Sequence, residues 1–256
     1  QLQSVALHSL RGLVRAQDHQ PPLRMPHSST SAAALIGGGR AIPLPGEISL
    51  AHAGVLFLDE LPEFNRQALE SLREPLESGE IVLSRSRQQL RYPARFQLVA
   101  AMNPCPCGQR GQAGGSCRCT PEQMSRYQAR LSGPLLDRLD LRVAVQPVPL
   151  SALAAEAVAG ESSAVVRARV CASRARQQAR QGYANACLPG HELSQMLTPA
   201  VTRFAQAAGE RLGLSARAYH RVLRVARTVA DLALAEGIDS AHVAEALCYR
   251  GSVLTD

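Results

Sequence analysis

In the segment Gly54-Val55-Leu56-Phe57-Leu58-Asp59-Glu60, a short apolar run directly precedes two carboxylates. A run of this length, broken by the acids and then by Leu61-Pro62, is typical of a strand buried in a parallel sheet. The carboxyl ends of such strands form the edge where open α/β sheets bind ligands. Paired acids there suit nucleoside triphosphate hydrolysis, with one near Mg²⁺ and one orienting the attacking water. The alternative is a strand that simply ends in a polar turn.

A second apolar run reinforces the first interpretation. Residues Phe96 to Ala101 predict a second buried strand, which ends at Met102-Asn103-Pro104. If the two strands are parallel neighbours, Asn103 reaches the same sheet edge as the acids. Asn103 could instead only cap a turn before the proline. Residues 141–145 predict a third strand.

The segment between these two strands predicts a helix followed by a hairpin. Asn65 can cap a helix that runs to about Glu77, because the apolar residues of this segment recur at helical spacing. Residues 80–92 alternate as in a β-hairpin. Its tip holds Arg85 and Arg87, with Arg91 nearby. Such a tip could grip nucleic-acid phosphates, or it could be an ordinary solvated turn.

The front of the chain is less regular. Residues 1–17 carry apolar positions at helical spacing, whereas 20–47 are rich in Pro, Gly and Ser and predict one long loop or insertion. The run Gly37-Gly38-Gly39-Arg40 is expected to be a turn or flexible loop. It is not a phosphate-binding P-loop, because the motif GxxxxGK[ST] requires a lysine and the sequence contains none.

The end of the chain predicts a separate helical region. Pro147 and Pro149 mark a linker, so we expect an α/β domain over 1–148 and a helical domain over 149–256. Helices are predicted at about 163–182, 199–211, 215–236 and 239–249. Their apolar faces favour a small bundle.

Composition narrows the class of protein. All 28 basic residues of the 256 are arginine, and the formal net charge is +7. This basic balance favours a nucleic-acid partner, although arginine in place of lysine also follows from a GC-rich genome. The sequence shows neither a bilayer-spanning apolar run nor a leader, so we expect a cytoplasmic protein without a membrane partner.

Four of the seven cysteines form a cluster in the sequence. Cys105, Cys107, Cys117 and Cys119 stand as two pairs separated by a polar loop of nine residues. Four thiolates on such a loop suit tetrahedral Zn²⁺, although reduced free thiols or a redox disulfide also fit this spacing. The remaining cysteines, Cys171, Cys187 and Cys248, are expected to be packing residues.

Several longer motifs, in order, resemble one family. PHSSTSAAALIGGG, PGEISLAHAGVLFLDELPEF, LREPLESGE, YPARFQLVAAMNPCPCG, SGPLLDRLDL and ARAYHRVLRVARTVADL are similar to the ComM group of magnesium-chelatase-like AAA+ ATPases. The resemblance implies a partial AAA+ P-loop NTPase core, with a parallel sheet and flanking helices, followed by an all-α lid. Members of this group also carry an N-terminal Lon-like domain and a P-loop, neither of which matches a segment of this sequence.

The resemblance assigns roles at the sheet edge. Asp59 and Glu60 match the Walker B pair, with Asp59 supporting the Mg²⁺ of Mg-ATP and Glu60 polarising the water. Asn103 matches sensor 1, an amide between the water and the γ-phosphate. The cysteine loop also matches the family, in which a zinc site is expected.

The resemblance also assigns roles to arginines. Arg138 in LLDR matches the arginine finger, which reaches the nucleotide of the adjacent subunit. Arg217 matches sensor 2 on the lid, and Arg221 is the weaker candidate for contacting phosphates. From the residues alone, Arg138 could simply pair with Asp137 or Asp140 on the surface, and Arg217 could be a solvated arginine.

The function implied by the resemblance is an ATP-driven DNA motor. It would form a ring, expected to be a hexamer, and promote branch migration on branched or single-stranded DNA during recombination and natural transformation. The 80–92 hairpin would face the ring pore and contact DNA through Arg85, Arg87 and Arg91. Without a P-loop, the chain by itself is expected to hydrolyse no ATP. The alternatives are a magnesium-chelatase ATPase subunit and a non-enzymatic, zinc-dependent DNA-binding or scaffold piece.

Overall fold

The chain divides into two compact units. The computed structural model describes residues 2–13, 20–39, 43–85, 88–111, 117–146, 148 and 160–250, with only the backbone at residues 85 and 88. The first unit covers 1–139 and the second covers 140–256.

A parallel sheet forms the centre of the first unit. Strand β1 (Leu23–Arg24) and strand β7 (Gln97–Ala100) pair with opposite sides of strand β4 (Val55–Leu58), and both pairings are parallel. Leu56 and Leu58 of β4 are fully buried, whereas the alternate positions are half-buried. The predicted α/β core with a buried acid-terminated strand is therefore present, followed in the second unit by helices, as expected for a partial AAA+ core and its lid.

Two strand predictions need correction. The strand β7 is not buried as expected, because within the described residues it pairs on one side only, and Val99 is 38% exposed. The predicted third strand is wrong. Residues 141–146 are irregular, and the amide of Arg142 donates to the carbonyl of Tyr249 within the second unit.

The segment 20–47, predicted as one long loop or insertion, contains several short elements in its described part. This segment contains β1, helix α2 (Ala32–Ile36), and the antiparallel pair β2 (Gly37–Gly38) and β3 (Leu44–Pro45). Helix α3 (Glu47–Leu50) begins at residue 47, the last residue of this segment. A Cβ on residue 37 would lie 2.3 Å from the Leu44 carbonyl oxygen. Glycine at position 37 therefore allows the backbones of β2 and β3 to approach closely. The amino-acid composition did not predict these helices and strands because each is only two to five residues long.

Short helices cover the sheet. Helix α1 (Leu2–Leu10) begins the chain, and a 3-10 turn (Leu61–Glu63) follows β4. The predicted helix from Asn65 to Glu77 is divided into α4 (Arg66–Glu70) and α5 (Pro75–Ser78), because proline at position 75 has no amide hydrogen to continue the ladder. The buried apolar core comprises Leu35, Ile48, Ala51, Leu56, Leu58, Leu61, Phe64, Ala68, Leu69, Leu72, Ile81, Ala94, Leu131 and Leu135.

A hairpin and two helices complete the first unit. Strands β5 (Glu80–Arg85) and β6 (Gln88–Pro93) pair antiparallel, from Glu80 opposite Pro93 to Arg85 opposite Gln88. Helix α6 (Pro121–Gln128) begins with a capping box between Thr120 and Gln123, and α7 (Gly133–Leu136) is capped by Ser132.

The second unit is helical throughout its described elements. It contains α8 (Ser163–Gln181), a 3-10 turn (Asn185–Cys187), α9 (Gly190–Gln195), α10 (Pro199–Arg211), α11 (Ala216–Leu232) and α12 (Ser240–Cys248). These helices bury the apolar residues Leu188, Leu193, Val201, Ala205, Val222, Leu223, Ala226, Ile238, Val243 and Ala246. None of the described helices has both the length and the apolar character needed to cross a bilayer.

A buried ion-pair network lies within this bundle. Asp231 is fully buried and accepts hydrogen bonds from Arg180 (2.7 and 2.9 Å), Arg227 (2.8 Å) and Asn185 (2.8 Å). Burial acts to raise the pKa of Asp231, but hydrogen bonds from Arg180 and Asn185 and the charge of Arg227 outweigh burial and lower it. Asp231 is therefore an ionised carboxylate enclosed by its own partners.

Candidate functional site

The sheet brings the two acids and the asparagine to one edge. The strands β4 and β7 are parallel neighbours, with Leu58 opposite Ala100. Their pairing continues past the strand ends, where the amide of Ala101 donates to Leu58 (3.0 Å) and that of Leu61 donates to Ala101 (2.9 Å). Asp59 and Glu60 therefore leave β4 at the edge where Asn103 follows β7.

The acid pair has an unusual backbone. Glu60 adopts φ 51° and ψ 47°, in the left-handed region, which costs a non-glycine residue about 1–2 kcal/mol. Its amide donates to Oδ1 of Asp59 at 2.8 Å. Both side chains are exposed. Strain of this kind concentrates at functional sites, and here it turns the chain so that two consecutive acids are presented at the edge.

Asn103 is held through its backbone by a residue that sequence reasoning missed. The hydroxyl of Tyr127, on α6, donates to the Asn103 carbonyl at 3.3 Å. Burial raises the pKa of Tyr127, and the negative charge of Glu63 adds to this effect, so the hydroxyl remains a donor. The tyrosine is 24 residues from Asn103, and no sequence pattern links the two.

The four clustered cysteines meet directly after Asn103. Their sulfur atoms all lie within 4.8 Å of one another. Sγ of Cys105 is 3.3 Å from that of Cys107 and 3.7 Å from that of Cys117, and Cys107 is 3.6 Å from Cys117. These separations exceed a disulfide bond of about 2.05 Å, so the thiols are free.

The cluster fits a tetrahedral metal ion. Sulfur ligands about 2.3 Å from Zn²⁺ lie about 3.8 Å from one another in a tetrahedron, which is close to the observed spacing. A backbone hydrogen bond from Gln109 and the neighbouring Cys105 thiol lower the pKa of Cys107 to about 6. A backbone hydrogen bond at Cys107 acts to lower the pKa of Cys119. The Cys107 thiol and burial outweigh it and raise that pKa to about 12. Four thiolates this close repel one another, and a divalent cation would remove that penalty.

Arg138 is buried and has an acidic partner. It is only 8% exposed, and its guanidinium donates to Glu77 on α5 and to the carbonyl of Pro134 (2.7 Å). Arg138 is therefore buried rather than solvated on the surface, and Asp140 pairs with Arg221. Glu77 was not anticipated as a partner, because it lies 61 residues away in sequence.

The two lid arginines lie in the second unit, on α11. Ser215 caps this helix through the amide of Ala218, and Arg217 is exposed in its first turn. Arg221 lies one turn further and bonds Asp140 at 2.7 Å. Arg221 thus already has an acidic partner within its own unit.

Little of the arginine hairpin tip falls in the described part of the chain. Arg87 lies outside the described residues, and Arg85 is described only by its backbone, at the end of β5. Arg91 is 67% exposed and lies 3.7 Å from Glu80. At this exposure the ion pair is weak, so the guanidinium remains accessible to another anion.

These features define the class of protein, which is a partial AAA+ core followed by a helical lid. The family model described as magnesium chelatase, subunit ChlI, matches residues 1–153, and that of its C-terminal part matches 160–250. The chain belongs to this magnesium-chelatase family.

Within the family the chain is ComM-like. It is 52% identical to the uncharacterized protein YifB of Escherichia coli over 253 residues, which cover 97% of this chain and 49% of YifB. It is 51% identical to competence protein ComM of Haemophilus influenzae over 236 residues, which cover 91% and 46%. It is 38% identical to the magnesium-chelatase 38 kDa subunit of Acidiphilium rubrum over 71 residues, which cover 28% of this chain and 20% of that subunit. The chain spans about half the length of the curated relatives that match nearly all of it.

Proposed function

We propose that this chain forms part of an ATP-driven DNA motor that promotes branch migration during recombination. The observation that carries the proposal is the shared edge of β4 and β7, where Asp59, Glu60 and Asn103 leave adjacent parallel strands. Membership of a family of AAA+ type and ComM-like identity along most of the chain support ATP as the substrate.

The residues at the edge divide the hydrolytic work. Bound Mg-ATP supplies the phosphoanhydride and the cation that neutralises its oxygens. Asp59 offers one carboxylate oxygen to the cation while the other accepts from the amide of Glu60. Glu60 orients a water molecule and takes its proton, and Asn103 donates its side-chain amide to a phosphate oxygen. These exposed side chains fit an anionic ligand that brings its own divalent cation.

The arginines act on the same nucleotide from neighbouring parts of an assembly. Arg138, released from its contacts with Glu77 and Pro134, would bring its positive charge to the adjacent subunit's γ-phosphate, and Arg217 would contact phosphates in its own subunit or the next. Arg221, which pairs with Asp140, is the weaker candidate for a phosphate contact. A finger acting between subunits requires a closed homo-oligomeric ring, for which we propose a hexamer.

DNA binds to the hairpin side of the ring. Arg85 ends β5, Arg91 lies in β6 with an exposed guanidinium, and Arg87 falls between them in the sequence. The net charge of the chain is +7. Contacts of this kind neutralise phosphates without reading sequence, which suits a motor that moves along DNA.

The motor is assigned to a longer protein, here called the parent protein, in which this chain is joined to a P-loop. The chain has no lysine, and its curated relatives are about twice its length. We propose that the chain alone binds nucleotide poorly and hydrolyses none. Measurable ATP turnover by the 256-residue chain would contradict this part of the proposal.

The test is branch migration of a four-way DNA junction by the parent protein, with and without ATP. We expect ATP-dependent resolution of the junction and its loss in the Glu60→Gln variant. Glu161→Gln is the control, because Glu161 pairs with Arg169 on the surface of the second unit. Unchanged DNA remodelling in Glu60→Gln would favour a non-enzymatic DNA-binding scaffold.

A magnesium-chelatase subunit is the second candidate, favoured by the 71-residue similarity to the 38 kDa subunit. That match covers 28% of the chain, against 91% for ComM, so the DNA motor is preferred. ATP-dependent metal insertion into a porphyrin, supported by the parent protein, would reverse this preference.

We also propose that the four-cysteine cluster binds Zn²⁺. Elemental analysis of the purified chain should give one zinc per chain, lost in Cys107→Ser. Cys171→Ser is the control, since Cys171 is an exposed cysteine outside the cluster. A metal-free chain that cannot be loaded with zinc would overturn the assignment.

A further inference from the structure

We propose that the metal centre positions Asn103, so that metal loading determines whether the ATPase is competent to hydrolyse. The inference rests on the proposed function for its catalytic consequence. Its structural part, that the cluster fixes the segment carrying Asn103, stands on contacts within the first unit.

The first contact is through the chain itself. Cys105 follows Asn103 by two residues and is fully buried. A ligand held by a metal at this position leaves one residue, Pro104, between a fixed point and the amide. Because proline has a restricted φ, the short connection transmits little freedom.

The second contact is through space. The amide of Gly108 donates to the carbonyl of Cys105 at 3.0 Å, closing a turn around Cys107. A Cβ built on Gly108 would lie 3.8 Å from Cγ of Asn103, so the side-chain amide of Asn103 lies beside this turn. Gly108 has φ 75°, which favours glycine there.

The third contact comes from the other pair of cysteines. Cys119 directly precedes Thr120, which caps α6 with a capping box. Two turns along that helix, Tyr127 donates to the Asn103 carbonyl. A metal shared by the two cysteine pairs therefore links the end of β7 to the start of α6, and α6 returns to Asn103.

These contacts connect Asn103 to the cysteine cluster by two routes, one along the chain and one through α6. Without the metal, the two cysteine pairs are not bonded to each other, and the two routes are not joined. The residues between the pairs, 108–116, are Gly, Gln, Arg, Ala and Ser, which have no apolar side chain large enough to form a core. A four-thiolate metal centre supplies the missing cross-link, as structural zinc does in small polar segments. A shift of about 1 Å in a catalytic group can cost ~100-fold in rate, so the link matters for hydrolysis.

The structural part is tested on the 256-residue chain by amide hydrogen exchange over residues 101–108. We expect exchange to be at least ~10-fold slower with zinc than after its removal by chelation. Cys107→Ser should exchange like the stripped chain, whereas Cys171→Ser should exchange like the zinc-loaded one. Equal exchange in all four samples would overturn the proposal.

Rescue by another ligand separates metal loading from loss of a thiol. Cys107 is exposed, so Cys107→His can be accommodated there, and imidazole replaces thiolate in Cys₃His zinc sites. This variant should recover zinc and slow exchange together. Zinc recovered without slowed exchange would contradict a positioning role.

The catalytic part is tested in the parent protein by separating turnover from binding. In Cys107→Ser we expect kcat to fall at least ~10-fold while the Kd for ATP stays within about twofold, and Cys107→His should restore kcat. Unchanged kcat would overturn the coupling. If the unaltered parent protein hydrolyses no ATP, the proposed function fails, and the exchange data still decide whether the metal orders Asn103.

Discussion

The two units use their charged residues in opposite ways. In the first unit, Asp59 and Glu60 are exposed at a sheet edge, on a backbone that holds Glu60 in the left-handed region. In the second unit, Asp231 is fully buried and meets Arg180 and Arg227. One unit exposes its charge to solvent at a cost in backbone strain, whereas the other pairs its charge internally.

This difference indicates in which unit a substitution will change stability and in which it will change activity. A buried carboxylate with several donors contributes to stability, and removing it leaves guanidinium groups uncompensated. An exposed carboxylate on a strained backbone contributes little to stability, which is why we propose a functional role for it. Four predictions follow this contrast from the largest effect to the smallest.

The largest effect is expected from Asp231→Ala in the second unit. Because Arg180 and Arg227 would lose their buried partner, we expect a loss of about 3–5 kcal/mol in the free energy of unfolding. Urea denaturation of the chain measures it. Glu161→Gln is the control, since Glu161 pairs with Arg169 on the surface, and it should change stability by less than about 1 kcal/mol. Equal losses of unfolding free energy in Asp231→Ala and Glu161→Gln would contradict the stabilising role of the buried carboxylate.

The opposite response is expected from Glu60→Gly in the first unit. Glycine relieves the left-handed strain, so the unfolding free energy should rise by about 1 kcal/mol or less. ATP turnover of the parent protein should fall at least ~100-fold, because the general base is gone. Calorimetry and a steady-state phosphate assay measure the two effects. A variant that is both less stable and fully active would contradict the assigned role.

Acid should affect the second unit through Asp231. Its pKa is lowered in the folded state, so its contribution to stability is complete above its unfolded value, about 3.9, and is lost as pH falls through the folded value. We therefore expect the urea midpoint to decline below about pH 4. Asp231→Asn should remove this part of the pH dependence, and an unchanged pH profile in that variant would show that other groups carry it.

The smallest effect is expected at the hairpin. Arg91→Ala should weaken binding of the parent protein to single-stranded DNA and lower the slope of log affinity against log salt by about 0.7, since one phosphate contact is lost. Fluorescence anisotropy at several salt concentrations measures the slope. Arg169→Ala, on exposed α8, is the control and should leave the slope unchanged. A slope unaffected by Arg91→Ala would remove that residue from the DNA interface.

The sequence predicted most of the fold because its strongest patterns are local. The run Val55–Leu58 before two acids, the cap at Asn65 and the helical periodicity of 216–232 each depend on neighbouring residues. Segments stabilised by distant partners were missed. Leu23–Arg24 is a strand only because β4 lies beside it, and residues 141–145 lack such a partner in the described structure.

The residues of the candidate site, like the elements of the fold, were predictable where the signal is local in sequence. Asp59, Glu60, Asn103 and the four cysteines carry their chemistry in residue type and spacing, and the sheet register places the first three at one edge. The groups that support them were not predictable. Glu77 and Tyr127 reach Arg138 and Asn103 only through the folded chain, so they required coordinates.

The central claim is that Glu60 and Asn103 act on one nucleotide at one sheet edge. The most direct measurement is ATP turnover by the parent protein with Glu60→Gln, with Asn103→Ala, and with both changes together. Residues that act as a unit give non-additive losses, so the double variant should be about as slow as the slower single variant. Losses that multiply fully, or a single variant with unchanged turnover, would contradict the claim.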